Sequence, residues 1–165
     1  NLGLNFIMKK KVLISACLLG KNCRYDGGHS HVQELDALDV DWIPVCPEEQ
    51  GGLETPRSPA EIQGSAENIL NGIGSIVTNE GYDVTEKFIQ GAEDSLKTGL
   101  RVGAECAILK SRSPSCGVGR VYDGSFENTL IDGDGMFSHL CQKSGINCIS
   151  SDDLDKIKKT LEKQK

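Results

Sequence analysis

Three short apolar runs in this chain each lead into a cysteine, or into a loop that carries one. Cys17 closes Val12-Leu13-Ile14-Ser15-Ala16, and Cys46 closes Trp42-Ile43-Pro44-Val45. The third run, Cys106-Ala107-Ile108-Leu109, opens into the polar stretch Lys110-Ser111-Arg112-Ser113-Pro114-Ser115-Cys116-Gly117. The runs are rich in Val, Leu and Ile and alternate little, as strands buried on both faces of a parallel sheet do. In an open parallel sheet, ligands collect in the crevice beyond the carboxyl ends of the strands. A fold of that kind delivers all three thiols to one place.

Residues 11–16, 40–45, 106–109 and 146–149 are predicted strands, and Pro44 puts the second at a sheet edge or a strand end. The clearest helix covers 85–102, capped by Thr85, with Phe88, Ala92, Leu96 and Leu100 on one face. Met136, Phe137, Leu140 and Cys141 form a second helical stripe, stopped by Gly145. Ser151 is the expected cap of a last helix, with Asp152 and Asp153 in its first turn. Ser30 and Gln33 make a capping-box pattern for a short helix through Leu35 and Leu38.

Residues 47–57 hold too much glycine and proline for regular structure, and are long enough for a functional loop. Ser58-Pro59-Ala60-Glu61 predicts a helical first turn, ended by Gly64. Residues 71–83 predict a peripheral hairpin or an irregular excursion; 118–122 and 128–131 predict two minor strands around Asp123-Gly124. The alternation of strand and helix favours parallel βαβ units. The expectation is a single-domain, three-layer, Rossmann-like α/β fold with a mostly parallel sheet over residues 8–165. Residues 1–7 precede Met8 and are read as a vector remnant.

Composition narrows the function. With 165 residues the chain is long enough to bury a real core. No apolar run approaches the ~20 residues that cross a bilayer. A net charge of −6 argues against nucleic acid as the main partner. Lys156, Lys158, Lys159, Lys163 and Lys165 read as the solvated, dipole-complementing end of the last helix. Seven cysteines without an export signal point to a reducing, cytoplasmic setting, where repeated thiols are metal ligands, redox centres or core hydrophobes.

Cys106, Cys141 and Cys148 lie in apolar stripes and read as core thiols. Cys17, Cys46 and Cys116 do not. Three thiolates with one vacant coordination position suit a 4Fe–4S cluster with one open iron, or a three-cysteine zinc site. Cys23 reads equally as a fourth thiol near the site or as a loop residue. Glu48, two residues past Cys46, suits proton transfer, and Ser113 either positions a water or substrate or initiates its Ser-Pro turn. Arg24, Tyr25 and Asp26 bind a polar ligand or tie their loop down. His29 and His31 read as helix-start residues.

Six segments in order resemble one family: Ser15-Ala16-Cys17-Leu18-Leu19-Gly20, Cys23-Arg24-Tyr25-Asp26-Gly27, Cys46-Pro47-Glu48, Gly51-Gly52-Leu53, Pro56-Arg57-Ser58-Pro59-Ala60-Glu61-Ile62, and Lys110 through Gly117. They are similar to the thiouracil desulfurases, and the likeness covers essentially residues 9–161. It implies an α/β fold holding an oxygen-sensitive 4Fe–4S cluster on Cys17, Cys46 and Cys116, with one iron open. It further implies conversion of a small thiolated nucleobase of the 2-thiouracil kind to the oxygenated base, with release of sulfide and no net redox change. Glu48 and Ser113 are the implied catalytic pair, with Glu49, Ser111 and Ser115 as close neighbours. The competing readings are a non-catalytic iron–sulfur or zinc-binding module, a metal hydrolase on the same three cysteines, and a thiol redox protein using Cys17 and Cys23.

Overall fold

The computed structural model describes residues 8–162. Residues 1–7, read above as a remnant, lie outside the described residues, as do Lys163 and Lys165 of the terminal basic run. In chain order the strands are β1 Lys11–Ser15, β2 Asp41–Val45, β3 Ala60–Gln63, β4 Ser75–Thr78, β5 Cys106–Leu109, β6 Arg120–Tyr122, β7 Leu130–Asp132 and β8 Asn147–Ser150. The α-helices are α1 Pro47–Gln50, α2 Ala66–Leu70, α3 Thr85–Arg101, α4 Met136–Lys143 and α5 Leu154–Glu162; Ala16–Leu19 and Gln33–Ala37 are 3₁₀ turns.

A four-stranded parallel sheet in the order β2-β1-β5-β8 forms the centre. Val12, Leu13 and Ile14 of β1 are fully buried, because this strand is hydrogen-bonded on both sides and covered on both faces. Leu13, Ala107 and Leu109 turn toward α3 and α4, where they meet Phe88, Ala92, Met136 and Phe137. Val12, Ile14, Cys106 and Ile108 turn the other way, toward Leu18, Leu35 and the Ile157–Leu161 stripe of α5. Three layers result, which is the Rossmann-like arrangement expected. Pro44 lies on β2, an edge strand, where its missing N–H leaves no ladder bond unmade. The chain leaves β1 for β2 on one side and returns to β5 on the other, so the direction of winding reverses between β1 and β5. The side-chain oxygen of Ser15, ending β1, accepts from Lys110 N just past β5 at 2.9 Å and stitches that point together.

Several local expectations are corrected. Ser58-Pro59-Ala60-Glu61 starts no helix: Ala60–Gln63 pairs antiparallel with β4, and Glu61 points its carboxylate at backbone N–H groups of a distant loop. Residues 71–83 therefore supply one strand of a hairpin whose other strand is β3. Helix α2, capped by Ser65 Oγ on Asn68 N, lies between the two strands and was not foreseen. Part of 47–57 is regular after all, as α1. Ser30 caps nothing, since its Oγ accepts from Arg24, and Gln33–Ala37 is a 3₁₀ turn. Thr85 Oγ1 accepts from Ile76 N instead of capping α3, and Asp83 takes the Thr85 N–H. Ser151 Oγ accepts from Ser111 N, while Asp153 caps α5 through Lys156 N. Leu100 is 52% exposed, because side chains spaced by four drift about 40° per step around a helix and the third step leaves the buried face. Among the described residues, no helix is long and apolar enough to cross a membrane.

Two glycines let α1 settle against α3. A Cβ on Gly91 of α3 would lie 1.7 Å from Pro47 O, and one on Gly51 would lie 2.0 Å from Lys87 O. Backbone meets backbone, and α1, which carries Glu48, is held at a depth no side chain would permit. Gly91→Ala should destabilise the protein by about 1–3 kcal/mol through this overpacking, against the ~1 kcal/mol that alanine otherwise gains inside a helix. A urea midpoint that rises instead of falling would show that the contact does not constrain α1.

Candidate active site

The carboxyl ends of β1, β2 and β5 open onto one cavity of about 530 Å³, lined among others by Cys17, Cys23, Cys46, Glu48, Ser113 and Cys116. Cys17 sits in the 3₁₀ turn that directly follows β1, and its carbonyl accepts from Gly20 N and Ser30 N. Cys46 directly follows β2 and precedes the first turn of α1, with Pro47 at the position where a helix needs no N–H. Cys116 lies seven residues beyond β5 in a tight turn closed by Gly117 N on Ser113 O at 2.8 Å. The turn rests on the start of α4: Met136 N donates to Pro114 O, and Phe137 N and Ser138 N donate to Ser115 O. These are unpaired N–H groups that every helix start must satisfy. Gly135 permits the approach, since a Cβ there would fall 2.5 Å from Ser115 C.

Cys23 belongs to the same cavity. It is buried, and Cys46 Sγ lies 3.8 Å from its carbonyl oxygen. Contact with Cys17, then burial, pushes its thiol up to about 11, with Cys46 acting in the opposite sense. Burial pushes Cys116 up to about 12, and contact with Cys23 followed by burial raises Cys46. Raised thiols of this kind must lose their protons before they ligate a soft metal. Cys106, Cys141 and Cys148 are buried in the two cores, away from the cavity.

Glu48 projects from α1 with both oxygens engaged. Oε1 accepts from Arg57 Nε at 2.9 Å, and Oε2 accepts from Ser115 Oγ at 2.9 Å. Only 9% of the Arg57 side chain and 15% of the Glu48 side chain remain exposed, so the pair is largely desolvated. Ser115 Oγ also lies 3.0 Å from Ser113 Oγ. An ionised carboxylate only accepts, so the Ser115 proton faces Glu48 and the Ser113 proton faces Ser115. The oxygen of Ser113 is further occupied by Ser115 N at 3.1 Å and Cys116 N at 3.0 Å. Ser113 thus anchors the Cys116 turn and ends a hydroxyl chain that runs to Glu48. Glu49 points elsewhere, to Thr55 and Lys21, and does not line the cavity. Ser111 lines it, with its hydroxyl 3.3 Å from Lys110 Nζ.

Arg57 and Ser115 are the residues that connect the site, and neither is singled out by spacing. Arg57 also donates through Nη1 to Glu54 O and Thr55 Oγ1, and through Nη2 to Cys23 O at 2.7 Å. Arg24 and Tyr25 line the cavity, while Arg24 also binds Asp26 and Ser30 and so ties its own loop down. His29 and His31 do not line it; His31 Nε2 pairs with Asp36. Arg24, Arg57, Lys110 and Arg112 against Glu48 and Glu61 give the cavity wall an excess of positive charge within a chain of net charge −6. Such a wall favours an anionic assembly held by the cysteines. Soft sulfur donors on three separate segments of a roomy, cationic cavity fit a cysteine-held iron–sulfur cluster. Among the described residues no three His, Cys, Asp or Glu side chains are close enough together for one metal ion.

Comparison with known proteins identifies the family. The family model described as 2-thiouracil desulfurase matches residues 12–153. An uncharacterised protein of Bacillus subtilis (strain 168), YbbK, is 41% identical over 149 residues, spanning 88% of this chain and 99% of its own. A solved structure of a 4Fe–4S-dependent thiouracil desulfidase, TudS, is 42% identical with a TM-score of 0.83, over 93% of this chain and 99% of that one. The chain belongs to the 2-thiouracil desulfurase family.

Proposed function

We propose that this protein is an iron–sulfur-dependent desulfurase that converts a thiolated nucleobase of the 2-thiouracil kind to its oxygenated counterpart, releasing sulfide without net redox change. The observation that carries the reading is the meeting of Cys17, Cys46 and Cys116 with Glu48 on one cavity at the carboxyl ends of three parallel strands. Family membership and the likeness to TudS support the same substrate class. Cys17, Cys46 and Cys116 are the proposed ligands of a 4Fe–4S cluster with one iron left open. When bound, the cluster supplies a Lewis-acidic iron that polarises a thiocarbonyl.

The chain's own residues manage the proton and the oxygen. Glu48 is the proposed base, and the Ser113–Ser115 hydroxyl chain links its Oε2 to the turn that carries Cys116. A water held against this chain loses a proton toward Glu48 as its oxygen adds to the polarised carbon. The carbon–sulfur bond then breaks, and the two hydrogens of water leave with the sulfur, so that base plus water gives oxygenated base plus hydrogen sulfide. No electrons are gained or lost. Arg57 holds Glu48 in place without reaching for the substrate. The proposed setting is the reducing cytoplasm, where seven free thiols persist, and the acidic chain favours a free base over a nucleic acid as partner.

Anaerobic reconstitution with iron and sulfide should give protein that releases sulfide from 2-thiouracil and forms uracil in equal amount. A fully loaded cluster with no sulfide release would overturn the substrate assignment. Cys116→Ala should lose the cluster absorbance, and a variant that keeps it would remove Cys116 from the ligand set. Glu48→Gln should keep its iron while kcat falls about 10²–10⁴-fold, the range for losing a general base. Ser115→Ala should lower kcat in the same direction with iron unchanged; unchanged kcat would break the proposed hydroxyl link.

A further inference from the structure

The cavity has a wall that the thiol chemistry does not use. Among the described residues, the non-glycine residues with left-handed backbone are Arg112, Phe126 and Asn128, with φ of 63°, 60° and 59°. All three line the cavity. A bulky side chain rarely takes this conformation, and where one does, the surroundings have to impose it. Phe126 is the least suited of the three, having neither a short polar side chain nor freedom at Cβ. Its ring joins neither hydrophobic core, unlike Phe88 and Phe137, which are buried in one.

What imposes the conformation is visible. Glu61, on β3, accepts from Gly124 N at 2.9 Å and from Phe126 N at 3.2 Å through the same oxygen, Oε1. Gln63 Nε2 donates to Gly124 O. Gly124 lies so close to β3 that a Cβ there would be 2.7 Å from Ile62 O. Asp123 N donates to Thr129 O and closes the loop at its base. One strand of the β3–β4 hairpin thus clamps the tip of the β6–β7 hairpin, and the clamp fixes a strained phenylalanine against the cavity.

We infer that Phe126 is the stacking platform for the planar base, and that Glu61 is the positioning residue that holds it there. This rests on the proposed substrate class, since a platform of this kind serves a flat π-system. Loss of the ring should then weaken base binding about ten-fold, within the range found when a stacking aromatic is cut back to alanine. Glu61 acts through Phe126, so removing both should cost no more than removing the ring alone.

The test is calorimetric titration of the iron-loaded protein with uracil under anaerobic conditions, beside sulfide release from 2-thiouracil by the same preparation. Phe126→Ala and Glu61→Ala should each raise the uracil Kd about ten-fold, Phe126→Tyr and Glu61→Gln should stay near wild type, and the double alanine variant should match Phe126→Ala. Wild-type affinity in Phe126→Ala, or additive losses in the double variant, would overturn the platform. Sulfide release by wild type without measurable uracil binding would also overturn it, leaving the desulfurase reading intact. Uracil binding that depends on Phe126, without sulfide release, would support the platform and overturn the reaction.

Discussion

The site depends first on one guanidinium. Arg57 spends its donors on Glu48, Glu54, Thr55 and the carbonyl of Cys23, and so ties together the loop after β1, the helix after β2 and the entry to β3. The Cys23 loop lies far from Arg57 in the chain, and no strand pairing joins it to the stretch from Glu48 to Arg57. Without the guanidinium, Glu48 would be a largely buried charge lacking its partner, a situation that costs about 3–5 kcal/mol. The pair with Glu48 is therefore better understood as a registration device than as a source of stability. It sets the height of α1, which carries Glu48 and begins directly after Cys46, relative to the loop that carries Cys23.

Around that pair the fold brings the cysteines together by topology. Winding reverses between β1 and β5, and the Ser15–Lys110 bond closes the seam at that point. Cys17 arrives directly from β1 and Cys46 directly from β2. Cys116 comes by a longer route, and the start of α4 fixes its turn by donating N–H groups to Pro114 and Ser115. Three kinds of local structure thus converge, and each satisfies its own backbone before it offers a thiol. Burial raises the Cys46 and Cys116 thiols, and the cationic wall suits an anionic assembly held by the cysteines.

Much of this was legible in the sequence, for physical reasons that differ by element. The buried strands announce themselves because a parallel strand needs apolar residues at every position, and Pro44 marks the edge because only an edge tolerates its missing N–H. The α3 and α4 stripes show because one face of each must meet the sheet. What stayed hidden was set by partners distant in the chain. Ser58-Pro59-Ala60-Glu61 carries every local mark of a helix start, yet pairing with β4 and the pull of the 123–129 loop on Glu61 make it a strand. Ser151 and Thr85 are cap residues by type, and both hydroxyls are taken by backbone from another segment. Arg57 could be quoted as part of a motif but not assigned a role, since its meaning lies in the four groups it reaches. Glu48 could be told from Glu49 only once the direction of α1 was known.

Cys17, Cys46 and Cys116 are the proposed holders of a cluster beside an intact Glu48–Arg57 pair, with Cys23 beside it but unbonded. Diffraction at the iron absorption edge, from crystals of anaerobically reconstituted protein, tests this assignment most directly. The predicted result is a compact iron peak in the cavity bonded to those three sulfurs, with the Cys23 sulfur unbonded and Arg57 still on Glu48. Iron bonded to Cys23 in place of any of the three, or iron found outside this cavity, would contradict it.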